Sequence, residues 1–249
     1  MMGLALYQKS NLVCDAMLAA LNIKIPKNQT AVMQLLQLYM QSGHYFWISG
    51  VVARTKLHRL VAKLNAFRIA RDAPGRAYDK TKGLASTHLV VFEQSDDELL
   101  WLLVGTTGKD GLIDPEQIDI GTIYDARLAG QHLRFKHYEL LHTEKPIKQV
   151  RDTTWTWRLA PQRYKEHEAF IVQLVRQRDR DGLNTELAAL AAMPQFSGVR
   201  GQVLKLFAET KKLGLKFKQG EVAVPTLPYM TRLPIYAEPA TMLKSLMDT

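Results

Sequence analysis

Cysteine is nearly absent from this 249-residue chain: only Cys14 is present, which excludes an internal disulfide, a cysteine-based zinc finger and an iron–sulfur cluster. A lone thiol of this kind fits a reducing cytoplasm and a small buried helix position. Long apolar runs are missing too. None approaches the roughly 20 residues needed to cross a bilayer, and MMGLALYQKS lacks a basic leader region, so the expectation is a cytoplasmic protein with no membrane partner. No internal repeat and no low-complexity tract occurs. With 47% hydrophobic and 23% charged residues, the chain has ordinary globular composition and can bury one sizeable core or two modest ones.

Catalytic patterns are equally scarce. No Gly-Lys-Ser/Thr ending exists, so Gly105 to Gly111 is read as a glycine-rich connection and Ser197 to Gln202 as a turn entering a helix, in which Gly198 and Arg200 could face an anion. A zinc deaminase needs His-x-Glu with a following Cys-x-x-Cys, and no such combination exists in a chain with one cysteine. His132, His137 and His142 are spaced by five, which matches neither a helix face nor a strand face. His44, His58, His88 and His167 have no partner evident in sequence. The acids Asp114, Glu116 and Asp119 read as solvated loop residues, since no Glu-x-Lys follows on a neighbouring strand. The reading calls for no metal, no cofactor and no catalytic residue.

Acid is absent where base is densest. The net charge is +9, and Arg54 to Lys82 holds nine bases against Asp72 and Asp79, a net of +7. Between Arg54 and Arg71 there is no acid at all, whereas a merely solvated helix face mixes both signs. Residues 93–125 hold nine acids and one base, and residues 198–220 hold six bases and one acid. Such blocks suggest a polarised molecule with an anion-facing side. The candidate nucleic-acid contacts are Arg54, Lys56, Arg59, Lys63, Arg68, Arg71, Arg76, Lys80 and Lys82, with Arg200, Lys205, Lys211 and Lys212 as a second group.

Periodicity predicts a helix over residues 10–21 and a second from a Thr30 cap to about Ser42, ended by Gly43. Tyr45 to Ile48 is an apolar core run. Leu57, Leu60, Val61, Leu64 and Phe67 form one stripe of a basic helix from Arg54 to Arg71, followed by a loop from Asp72 to Gly83. His88 to Phe92 and Leu99 to Thr106 read as a hairpin, Leu133 to Leu141 as a third strand and Thr154 to Leu159 as a fourth. Trp155 and Trp157 share a strand face that is either core or a base-stacking platform, with core favoured. Helices are expected at Tyr164 to Arg178, Asn184 to Met193 and Gly198 to Leu213, the last stopped by Gly214. A proline-punctuated strap from Val222 and a short helix after Pro239 close the chain. The fold class is α+β: N-terminal helices, a central mostly antiparallel sheet and a C-terminal helical region, divided as 1–160 and 161–249.

The N-terminal helix, the run Phe46-Trp47-Ile48-Ser49-Gly50, the basic Arg54 to Lys82 region and the sheet after it together resemble the plasmid-encoded large subunits of type IV CRISPR effector complexes. The likeness spans about the first 140 residues by order of elements. It implies a subunit that caps a guide-RNA complex in antiviral defence and contacts a short duplex motif beside the target DNA, and that is not a nuclease. Members usually carry a cysteine zinc site, which a chain with Cys14 alone lacks. The expected function is non-catalytic nucleic-acid binding within a ribonucleoprotein, with guide RNA or target DNA and other subunits as partners. A metal-independent RNA-processing endonuclease and a protein-binding adaptor of a plasmid or mobile element are the alternatives.

Overall fold

The computed structural model describes residues 23–144, 153–218 and 220–247. The helix expected over residues 10–21, with Cys14, lies outside them. The architecture is mixed α+β, with helices first, antiparallel sheets in the middle and helices toward the C-terminus. The chain gathers into two compact units, residues 23–131 with 233–247, and His132–Arg232. The division between them falls at residue 131, where the sequence pattern suggests one near residue 160.

In the first unit, helix α1 runs Gln29–Gln41. Its cap is Asn28 rather than Thr30: the Asn28 side chain accepts the Ala31 N–H at 2.9 Å, satisfying one of the free amides of the first turn. Gly43 ends it at φ +93°, a left-handed turn that glycine takes without strain. The apolar run that follows is strand β1, Phe46–Ala53. It pairs with β3 (Glu98–Gly105), which pairs with β2 (Thr87–Glu93), and the short β4 (Tyr124–Asp125) completes an antiparallel sheet ordered β2-β3-β1-β4. The β2–β3 hairpin is the one predicted. The place of β1 beside β3 was not visible in sequence, because that pairing joins residues about fifty positions apart, Gly50 opposite Trp101. A Cβ on Gly50 would lie 2.9 Å from the Trp101 ring, so glycine lets the indole lie across the strand.

The basic helix is shorter than the Arg54 to Arg71 stripe suggests. A 3₁₀ turn (Arg54–Lys56) leads into helix α2, Leu57–Leu64, and a second 3₁₀ turn (Asn65–Phe67) ends at Arg68, whose φ of +57° stops the helix. Leu57, Val61 and Leu64 are fully buried against the sheet in a core with Phe67, Leu99 and Leu103, each contributing about 2 kcal/mol. The expected loop after it is instead helix α3, Ala73–Thr81, because Asp72 accepts the Gly75 N–H at 2.9 Å and Pro74 sits in the first turn, where its missing N–H costs nothing. The C-terminal segment returns to this unit. Its backbone pairs with residues 23–27 through Ile25 to Thr241 and Leu243 to Ile23, and Leu243 and Leu246 of a closing 3₁₀ turn join the core.

In the second unit, the single strand expected from Leu133 to Leu141 is a hairpin. Strand β5 (Leu133–Phe135) turns at Lys136, φ +51°, into β6 (Tyr138–Glu144), and β7 (Thr153–Leu159) completes the sheet. The turn resets the alternation, so Tyr138 is buried and His137 exposed. Trp155 and Trp157 are core, 4% and 0% exposed, which removes them as a stacking platform. Helices α4 (Pro161–Gln177), α5 (Arg180–Ala191) and α6 (Ser197–Lys216) follow. Gly214 does not stop α6: it is buried, and a Cβ there would meet Val222 at 2.6 Å.

Candidate nucleic-acid interface

The structure sorts the candidate cations by what they already hold. Arg54 donates to Glu93 at 2.7 Å and to the Asp96 carbonyl at 2.9 Å, tying the end of β1 to the β2–β3 turn. Arg68 reaches Asp79 at 3.4 Å and Asp110 at 3.1 Å, and Arg71 reaches Asp79 at 3.1 Å. The Asp79 side chain is 6% exposed, so a shielded carboxylate on α3 draws both guanidinium groups back onto the protein. These three arginines are intramolecular anchors first.

Lys56, Arg59 and Lys63 differ. All three are exposed, they recur at i, i+3 and i+7, and no ion pair engages them among the described residues. Their positions follow from the packing: with Leu57, Val61 and Leu64 fixed inside, helical spacing sends these three to water on one face. Cations at this spacing can meet successive phosphates along a backbone. Lys80 and Lys82 lie exposed at the end of α3, with Lys82 5.5 Å from the Tyr78 ring, itself an exposed aromatic.

The second group belongs to α6 in the other unit. Arg200 is held: its guanidinium sits 4.4 Å from the Tyr229 ring and donates to the Leu227 carbonyl at 3.3 Å, so it pins the strap. Gly198, suspected of opening an anion site, has its N–H taken by Thr156 Oγ1 at 3.0 Å. A Cβ there would lie 2.4 Å from the Trp157 carbonyl oxygen, so the glycine serves close helix–strand packing. Lys205 and Lys211 are exposed, and Lys212 pairs with Glu209 at 2.7 Å.

Sequence reasoning missed a second cluster altogether. Tyr39 on α1 stacks on His88 of β2 with ring centroids 4.1 Å apart, and His44 lies 4.8 Å from His88. His44 is fixed by the Tyr39 carbonyl at 3.1 Å and Ser86 Oγ at 3.2 Å. Tyr236 from the C-terminal segment faces Tyr39, and Arg76 of α3 stands close enough to act electrostatically on all four rings. Burial, then the nearby Arg76 charge, then His44 push His88 down to about 3. Burial likewise lowers His44 and raises the phenols of Tyr39 and Tyr236. At neutral pH the cluster is therefore four uncharged rings around one guanidinium. Residues 39, 44, 88 and 236 share no local spacing, so nothing in the sequence linked them.

Among the described residues, no group of three or more His, Cys, Asp or Glu could hold a metal ion, and no helix is long and apolar enough to cross a membrane. Asp114, weighed as a metal ligand, instead accepts the Asp110 and Glu116 amides at 2.7 and 3.0 Å, which hold its carboxyl below the usual range. Comparison with protein-family models gives no match, and curated proteins and solved structures likewise yield none.

Proposed function

We propose that this protein binds nucleic acid without catalysis, through phosphate contacts made by the outer face of α2, as one subunit of a ribonucleoprotein. The observation that carries the reading is the row Lys56, Arg59 and Lys63: exposed, acid-free and backed by a fully buried apolar face. Such a row has no intramolecular ion-pair partner among the described residues, and the like charges of Arg59 and Lys63 at i,i+4 repel each other, a cost that the complementary charge of a phosphate backbone relieves. Lys80 and Lys82 extend the footprint, and Lys205 and Lys211 offer contacts on the second unit. The resemblance to type IV CRISPR large subunits would place the protein on a guide-RNA complex next to target DNA.

The test is salt-dependent binding of the full chain to duplex DNA, single-stranded DNA and hairpin RNA, with and without Lys56, Arg59 and Lys63 changed to Ala. Three lost phosphate contacts should lower the slope of log K against log salt by about 2.7 for duplex DNA. An unchanged slope and affinity in the triple variant would defeat the proposal. Cleavage of the hairpin RNA in the absence of metal would show a catalytic function instead.

A further inference from the structure

Arg76 occupies an unusual position for a guanidinium. It is half-buried, it donates to the Arg71 carbonyl, and no carboxylate pairs with it among the described residues. Its neighbours are the uncharged rings of Tyr39, His44, His88 and Tyr236. A partly desolvated cation left without a counter-charge is costly, and proteins keep such groups where an anion completes them. The neighbouring arginines show the contrast: Arg68 and Arg71 share Asp79.

The space in front of Arg76 is a cavity of about 450 Å³, lined by Lys24, Tyr39, Arg71, Arg76, His88 and Tyr236 on its polar side. Lys24, whose ammonium lies 5.6 Å from the Tyr236 ring, adds a second cation free of acidic partners among the described residues. Asp72 also borders the cavity, but its Oδ1 accepts the Gly75 N–H at 2.9 Å and is committed to capping α3. The phenols of Tyr39 and Tyr236, kept protonated by burial, hydrogen-bond each other, which leaves one O–H of the pair free to donate into the cavity. Leu35, Ile69 and Leu89 supply an apolar wall. The volume exceeds what a bare oxyanion needs, and it leaves room for the group that carries one.

We infer that this cavity is a phosphomonoester site, in which Arg76 and Lys24 hold the phosphate, the free O–H of the Tyr39–Tyr236 pair donates to it, and the apolar wall takes the organic part. The site is built from five separate stretches of chain, the segment before α1, α1, residues 69–76, β2 and the C-terminal segment, so it exists only in the folded unit. It stands apart from the outer face of α2 and does not depend on backbone binding there. The phosphate can come from a small metabolite or from the 5′ end of a nucleic acid, and the two sources are separable.

Calorimetric titration of the full chain with inorganic phosphate and with adenosine monophosphate tests the site. A parallel comparison sets a 5′-phosphorylated oligonucleotide against its 5′-hydroxyl form. Binding of phosphate or the monophosphate should weaken roughly tenfold in Arg76→Gln and severalfold in Tyr236→Phe, as expected for lost charge-assisted and neutral hydrogen bonds, and should be unchanged by the triple change in α2. A 5′-phosphate preference that Arg76→Gln abolishes assigns the site to nucleic-acid ends. Equal binding of the two oligonucleotides with Arg76-dependent binding of the monophosphate assigns it to a small molecule. If Arg76→Gln does not fold, Tyr236→Phe, which removes one hydroxyl, carries the comparison. No binding of any phosphate probe, or binding indifferent to the variants that fold, overturns the inference.

Discussion

Acidification should destabilise the first unit through His88, and the size of the effect can be worked from its surroundings. The ring is stacked on Tyr39 at an interplanar angle of 18°, beside His44 and Arg76. Its pKa is depressed from 6.5 to about 3, burial being the largest cause. The unfolded chain therefore takes up a proton between about pH 6.5 and 3 that the folded chain refuses, so stability is intact above the unfolded pKa and falls as the pH drops. The slope in that window is about 1.4 kcal/mol per pH unit, and the full effect is on the order of 5 kcal/mol. His44, lowered by burial, acts in the same direction. The two phenols near the ring are shifted upward and do not titrate there. The assay is native-state amide exchange of the β2 and β3 backbone, which follows this unit alone, for wild type and His88→Phe between pH 7 and 5. Phenylalanine keeps the stack and cannot protonate, and subtraction cancels contributions common to both proteins. The stability difference should change by about 2 kcal/mol between pH 6.5 and 5 in favour of the variant. A difference that stays flat across this range would refute the half-buried, uncharged state of His88.

Other perturbations are sharper and smaller. Gly198→Ala places a methyl against the Trp157 carbonyl and should cost about 2–3 kcal/mol in chemical denaturation, whereas Gly201→Ala, with nothing within 4 Å on the same helix, should gain roughly 0.5–1 kcal/mol. Equal effects would show that the α6–β7 approach is looser than described. Asp79→Asn releases Arg71 and leaves Arg68 on Asp110 alone, both arginine side chains being about two-fifths exposed, so stability should fall by only about 1–2 kcal/mol while polyanion affinity rises at low salt. Loss of nucleic-acid binding in that variant would mean that the network, and not the free cations, forms the interface.

The reach of the sequence can be traced in the basic region. The stripe of Leu57, Val61 and Leu64 required a buried helix face, and with it an exposed Lys56, Arg59 and Lys63, because 3.6-residue periodicity links the two faces whatever the surroundings. The β2–β3 hairpin was legible as two apolar runs around a polar linker, and β7 as local alternation. Boundaries were not. Asp72 made a helix out of an expected loop, and Lys136 made a hairpin out of an expected strand, each through one residue's backbone geometry. Ion pairing was decided still later. Arg54, Arg68, Arg71 and Lys56 look alike as a run of charge, yet Glu93, Asp79 and Asp110 engage the first three and leave the fourth to solvent.

By itself, then, the sequence determined the α+β class, the amphipathic helix and the sign of the charge on its outer face, since these depend on composition and on repeats a few residues long. Only the tertiary structure decided which cations remain available. It also brought Tyr39, Arg76, His88 and Tyr236 around one cavity, because contacts between positions so far apart in the chain arise from packing and leave no periodic trace.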